Sequence, residues 1–342
     1  MSDVGEMGQL NIVDAMLGQV LKVPLTVRIG EFDGRGEVDV PLSLWDERPC
    51  MPAGRRLDEV DISATYVPVS AVGLVVEYLT DVCCGCSVDE AFSTSLAGAA
   101  VLDEAYDTTA YTERLRFMLS NIHVRGMDID ETSIRCAFSA VSMDVAYKQG
   151  VQAYKGMRDP SHVDLAAIDI VRRLCQRGVA WLNTPTGECA CKSFTNIYEL
   201  SDSSLSKYVS HGHADMIVRS DMWGRFGDSR RALGDSFAIC DFKCTKTVRP
   251  GIQAREQVVG YWLLGLICDI NAGVASLNSH IDKVCVWNPR FSTSWWLDMA
   301  KVDRRVLLDY AVKLIGYPSD DDSLAVLESA MTSAIGEGCR CH

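Results

Sequence analysis

The sequence predicts an α/β protein, and three observations carry that prediction. Two short apolar runs, residues 212–218 and 237–245, each enclose an acid and read as buried strands. A longer apolar run, residues 258–267, follows them at helical length. A block from residue 66 to about 180 carries helical patterning and helix-start signals.

Taken in order, residues 1–62 read as an N-terminal accessory segment. Residues 11–21 suit a short helix. Residues 25–29 and 36–40 suit strands separated by glycine-rich turn signals. No chemistry is visible there, so the segment is a cover for the core or a candidate surface for a protein partner. Residues 63–180 read as mostly helical, with helices over 69–82, 86–98, 112–119, 131–150 and 164–178. Ser87 with Glu90 three residues on forms a capping box, and Gly178 reads as a helix stop. Residues 181–305 hold the strands and the central helix: a first strand over 194–200, the two acid-bearing strands, the helix and a later strand over 283–290. A turn at Ser292, Thr293 and Ser294 then leads into Trp295–Leu297, which should close the sheet. Residues 306–342 read as C-terminal helices and a frayed tail. Asp320, Asp321 and Asp322 stand where a helix dipole favours acids.

Composition narrows the class. The chain has 342 residues, 48% of them hydrophobic, enough for a sizeable packed core. Its start is acidic and lacks a basic signal region, and no apolar run reaches the ~18 residues a membrane span needs. A cytoplasmic protein away from the membrane is the expectation. The formal net charge of −13 weighs against a general nucleic-acid binder. The region around residues 225–255 is more basic, with Arg225, Arg230, Arg231, Lys243, Lys246, Arg249 and Arg255, so a local basic groove is expected on an acidic body. The fourteen cysteines include clusters at 83–86, 189–191 and 339–341, none with the C-x-x-C spacing of a persuasive zinc site. Reduced, packed thiols are expected instead. Neither a P-loop nor a Gly-x-Ser-x-Gly elbow is present.

The chemistry concentrates at Asp241-Phe242-Lys243. On a strand, residues two apart share a face, so Asp241 and Lys243 project together from an apolar run. A buried charge is costly unless paired or metal-bound. This strand therefore carries a salt bridge or presents a carboxylate and an ammonium to a substrate. Asp215 lies in the preceding strand, and Gln257 and Tyr261, four apart, share a face of the helix that follows. His211 and His213 flank Gly212 beside the Asp215 strand, in reach of a metal, a substrate or solvent.

The order strand acid, strand acid-x-lysine, helix Gln-x-x-x-Tyr resembles the PD-(D/E)XK nuclease superfamily, specifically its RecB-like branch, over residues 180–305. The resemblance implies a restriction-endonuclease-like α/β fold: a mixed central sheet flanked by helices, here with a helical insertion and an N-terminal extension. It implies a Mg²⁺- or Mn²⁺-dependent hydrolase of phosphodiester bonds acting on nucleic acid, DNA being favoured. Asp215 and Asp241 would hold the metal with the Phe242 carbonyl, and Lys243 would assist catalysis. Gln257, Tyr261 and His213 would support the site or contact substrate. The family's upstream helix usually adds an acid or histidine four residues after a glycine. Gly73 and Glu77 match that spacing, so the resemblance implies Glu77 as the third catalytic and metal-binding acid, with Asp144 the alternative. Two other functions stay open: an inert binding module on the same fold, and a hydrolase of a small nucleotide-like phosphate.

Overall fold

A computed structural model describes residues 22, 25, 28, 29, 40–49, 59–63, 65–182, 199–201, 205–219, 237–273 and 280–335. In chain order the strands are β1 Trp45–Pro49, β2 Val124–Arg125, β3 Asp128–Ile129, β4 Glu199–Ser201, β5 His211–His213, β6 Met216–Arg219, β7 Phe237–Phe242, β8 Ile281–Asn288 and β9 Thr293–Asp298. The helices are α1 Val69–Cys83, α2 Val88–Ala91, α3 Ser93–Tyr106, α4 Ala110–Leu119, α5 Glu131–Ala140, α6 Asp144–Gln149, α7 Leu165–Leu182, α8 Ile252–Ala272, α9 Arg304–Tyr310 and α10 Asp321–Ile335.

Five strands make one mixed sheet in the order β1-β9-β8-β7-β6. Only β7 and β8 run parallel, and α8 bridges them. Alternation along β7 sorts its residues between two faces. Ile239 packs with Ile217, Val284, Val286 and Leu297 in one apolar cluster, which Val258, Val259, Trp262 and Leu266 of α8 cover. Helix α8 is apolar on nearly all sides, as a helix buried between a sheet and the C-terminal helices requires. On the opposite face Ala238, Cys240 and Phe242 pack with Cys285, Trp287 and Trp296 against Trp181 and Leu182 of α7. There Trp181 stacks on Trp287 at 4.9 Å, with Phe242 edge-on to Trp287 at 4.6 Å. The architecture is α/β, with a mixed sheet between helices.

Residues 60–175 hold a separate apolar cluster of helix-on-helix contacts. The capping box at Ser87 and Glu90 is formed, and the Asp130 side chain caps α5 by accepting from the Ser133 N–H. Helix α1 crosses α7 closely. A Cβ on Gly178 would stand 2.8 Å from Thr80 and 3.2 Å from Trp287, so the glycine allows the approach and the helix runs on through it to Leu182. No helix among the described residues is long and apolar enough to cross a membrane.

Several expectations need correction. The segment 25–29 was expected to be a strand, yet Leu25, Arg28 and Ile29 are helical, and Leu25 is buried against Gly260 of α8. The sheet does not close at Trp295–Leu297: β1 pairs antiparallel with β9 outside it, so the N-terminal segment supplies the edge. Residues 86–98 form two helices broken at Phe92, and residues 131–150 break into α5, a 3₁₀ turn and α6. The strand expected over 194–200 begins, in its described part, at Glu199 and pairs with β5 in a small separate sheet. The expected helix over 11–21 and the tail from residue 336 lie outside the described residues.

Candidate active site

Strand register brings the two acids together. β6 and β7 run antiparallel with Met216 opposite Cys240, so the next position outward sets Asp215 opposite Asp241. Asp215 Oδ2 accepts a hydrogen bond from the Phe242 N–H at 2.7 Å, which fixes that carboxylate across the end of β7. The Lys243 N–H donates to the Trp287 carbonyl at 2.9 Å, extending the ladder one residue beyond β7. Lys243 thus keeps strand spacing and shares the Asp241 face. Its Nζ lies 2.5 Å from Asp241 Oδ2.

Asp241 is fully buried, and the Lys243 ammonium is its charged partner. Burial, then the Asp215 charge, push the Asp241 pKa up to about 8, while Lys243 pulls it down. Burial works against the Lys243 ammonium, yet the Asp241 and Asp215 carboxylates outweigh it and hold its pKa above the ordinary lysine value. The site is thus short of positive charge: one lysine does not offset two opposed acids in a dry setting.

Glu77 faces this group from α1. A Cβ on Gly73 would touch the Cβ of Cys244, next to Lys243, at 3.7 Å. Glu77 sits one turn on from Gly73, on the same helix face. Burial, then the Asp215 charge, push its pKa well above the carboxylate range. Among the described residues no three His, Cys, Asp or Glu side chains converge tightly enough to hold an ion as they stand. Asp215 and Asp241 are the opposed pair, and Glu77 acts on them at longer range.

Asp144, the alternative third acid, is occupied elsewhere. It is buried at the start of α6, where it accepts hydrogen bonds from Tyr78 Oη and Ser95 Oγ, both at 2.6 Å. It ties three helices together, and its Oδ2 also takes the Lys148 ammonium at 3.3 Å.

Gln257 and Tyr261 work as a pair: Gln257 Nε2 donates to Tyr261 Oη at 2.6 Å. Tyr261 is buried beneath Gly212 of β5, where a Cβ would meet its ring at 3.0 Å, so its hydroxyl supports Gln257 from within the core. Gln257 lines a cleft of about 260 Å³ together with Lys243, Thr245 and Gln253. His213 belongs to β5, and its side chain lies outside what is described.

The basic groove is thinner than expected. Lys246 and Arg249 are exposed on the loop after Lys243. Arg255 is buried, with its guanidinium donating to the Val40 carbonyl at 3.0 Å. Arg225, Arg230 and Arg231 lie outside the described residues. Two residues that sequence reasoning missed shape the site. Asn288 Nδ2 donates to Thr245 and Thr247, fastening the turn that carries Lys246. Lys148 of α6 pairs with Asp144 at 3.3 Å and adds positive charge beside α1. The described cysteines are free thiols, and burial pushes Cys83 and Cys244 up to about 12, so they pack as apolar groups. Cys189, Cys191, Cys339 and Cys341 lie outside the described residues. Comparison with family models, curated proteins and solved structures finds no match to this chain.

Proposed function

We propose that the chain is a metal-dependent nuclease of the PD-(D/E)XK superfamily, RecB-like branch, on a restriction-endonuclease-like fold, hydrolysing phosphodiester bonds of nucleic acid with DNA favoured. The observation that carries the reading is the opposition of Asp215 and Asp241 across paired strands, with Lys243 2.5 Å from the buried Asp241 carboxylate. A hard divalent ion suits such a donor set, because Mg²⁺ takes one or two carboxylates and fills its remaining positions with water. Asp215 and Asp241 would hold Mg²⁺ or Mn²⁺ beside the Phe242 carbonyl, with Glu77 adding charge from α1. When bound, the ion polarises a phosphoryl oxygen and favours attack by water.

The chain's own residues supply the rest. Lys243, beside Asp241, would stabilise charge developing on the phosphate. Gln257 positions the nucleic-acid backbone at the cleft wall, and Tyr261 holds Gln257 in place. Exposed Lys246 and Arg249 flank the path as phosphate contacts.

A second reading has one observation in its favour. The short Asp241–Lys243 contact is also what a purely structural ion pair would give, leaving an inert binding module on the same fold. Incubation with circular and linear DNA and RNA, in Mg²⁺ or Mn²⁺, separates the two. The nuclease reading expects cleavage by the wild type and loss of at least about 10²-fold in Asp241→Ala and Lys243→Ala. Equal cleavage by both variants and wild type refutes it, as does an inactive wild type.

A further inference from the structure

Resting on the nuclease reading, we propose that the cleft between the loop after β7 and the first two turns of α8 is a subsite for one unpaired nucleobase, with Gln253 as the side chain that contacts it.

The cleft, of about 260 Å³, borders the carboxylate site, because Lys243 lines it and also pairs with Asp241. The rest of its described lining is uncharged. Ile29, Gly251 and Ala254 give apolar surface, and Thr245, Gln253 and Gln257 give neutral polar groups. Both walls are set before a ligand arrives. On the loop side, the buried Asn288 amide donates to the Thr245 hydroxyl at 3.1 Å and to the Thr247 carbonyl at 3.0 Å. Trp295 Nε1 donates to the Val248 carbonyl at 2.9 Å. On the helix side, the Gln257 amide nitrogen is committed to Tyr261. Gln253 stands one turn earlier on the same face. It is exposed, and its amide makes no hydrogen bond among the described residues.

The occupant follows from size and polarity. A water takes about 30 Å³ of liquid, so the cleft has room for roughly eight or nine waters, the bulk of one base and not of a base pair. A phosphate seeks cations instead. Lys246 and Arg249 supply them outside the lining: both are exposed, and neither joins an ion pair among the described residues. A backbone that runs over those cations turns an unpaired base inward, onto the apolar surface. Unpaired bases are read by hydrogen bonds to their edges. A glutamine amide offers a donor and an acceptor side by side for such an edge. Lys243 then serves the phosphate adjoining that base.

The test is steady-state cleavage of labelled single-stranded DNA in Mn²⁺ by wild type and Gln253→Ala. One series of strands carries an abasic residue at each position in turn. Alanine favours helix and the position is exposed, so the variant keeps the fold. For the wild type, an abasic residue beside the cut phosphate is expected to raise KM about tenfold with kcat little changed. Gln253→Ala should raise KM on the intact strand by a similar factor and lose most of the abasic penalty at that position, the non-additivity of two partners in contact. Wild-type cleavage with one KM for every abasic strand overturns the subsite alone. So does a full abasic penalty in Gln253→Ala, or cleavage confined to duplex. No cleavage of any nucleic acid by the wild type overturns the nuclease reading and this inference together.

Discussion

Asp241 has an ammonium 2.5 Å away and still holds its proton to about pH 8. Burial and the opposed Asp215 outweigh one lysine. This fixes the sign of a pH effect. The folded pKa lies above the unfolded value of about 3.9, so Asp241 contributes most stability in acid and loses it as pH rises from about 4 to about 8. In chelator, the melting temperature of the wild type minus that of Asp241→Asn is expected to fall between pH 5 and pH 8. A flat difference would show that the carboxyl is not perturbed. Glu77 is also held toward its protonated form. Glu77→Gln should keep the fold and weaken Mn²⁺ affinity by about 10- to 100-fold, the scale for groups beyond the direct ligands; unchanged affinity would remove Glu77 from the site. At this scale the sequence was readable where strand period decides the outcome: Asp241-x-Lys243 had to share a face. The anchoring role of Asp144 was not readable, because its partners Tyr78 and Ser95 lie on α1 and α3.

Elements end where packing ends them, not where propensity suggests. Gly178 reads as a helix stop, yet α7 passes through it because Thr80 and Trp287 leave no room for a side chain. Gly98 of α3 is tighter still, with a Cβ falling 2.0 Å from the Met143 carbonyl. Gly98→Ala is expected to cost roughly 1–3 kcal/mol or more, read as a lowered denaturation midpoint; a midpoint equal to wild type would mean the α3–α6 region relaxes freely. Strand β1 escaped notice for a different reason. Trp45-Asp46-Glu47-Arg48-Pro49 carries three charges and a proline, the composition of a protected edge strand and not of a core one. Residues 25–29 are β-branched enough to read as a strand, but burial of Leu25 on α8 overrides that preference.

Across the whole molecule, the site lies where the helical block meets the sheet. Asp215, Asp241 and Lys243 come from the sheet, whereas Glu77 comes from a block with its own apolar core. The α/β class was legible from the alternation of apolar strands with a long apolar helix. The meeting of the two parts was not, because it depends on a contact between Gly73 and Cys244 far apart in sequence. On the nuclease reading, few cations beside a net charge of −13 make few phosphate contacts, so cleavage should fall only gently as salt rises. A site that keeps a proton on Asp241 at neutral pH must release it when an ion binds there. Calorimetric titration with Mn²⁺ at pH 7, in buffers of different ionisation enthalpy, reads both the ion and that proton. The wild type is expected to bind with proton release, Asp215→Asn and Asp241→Asn to lose binding, and Lys243→Ala to keep it. A wild type that takes up no Mn²⁺ at millimolar concentration, or an Asp241→Asn variant that binds as well, would contradict a metal site at these two strands.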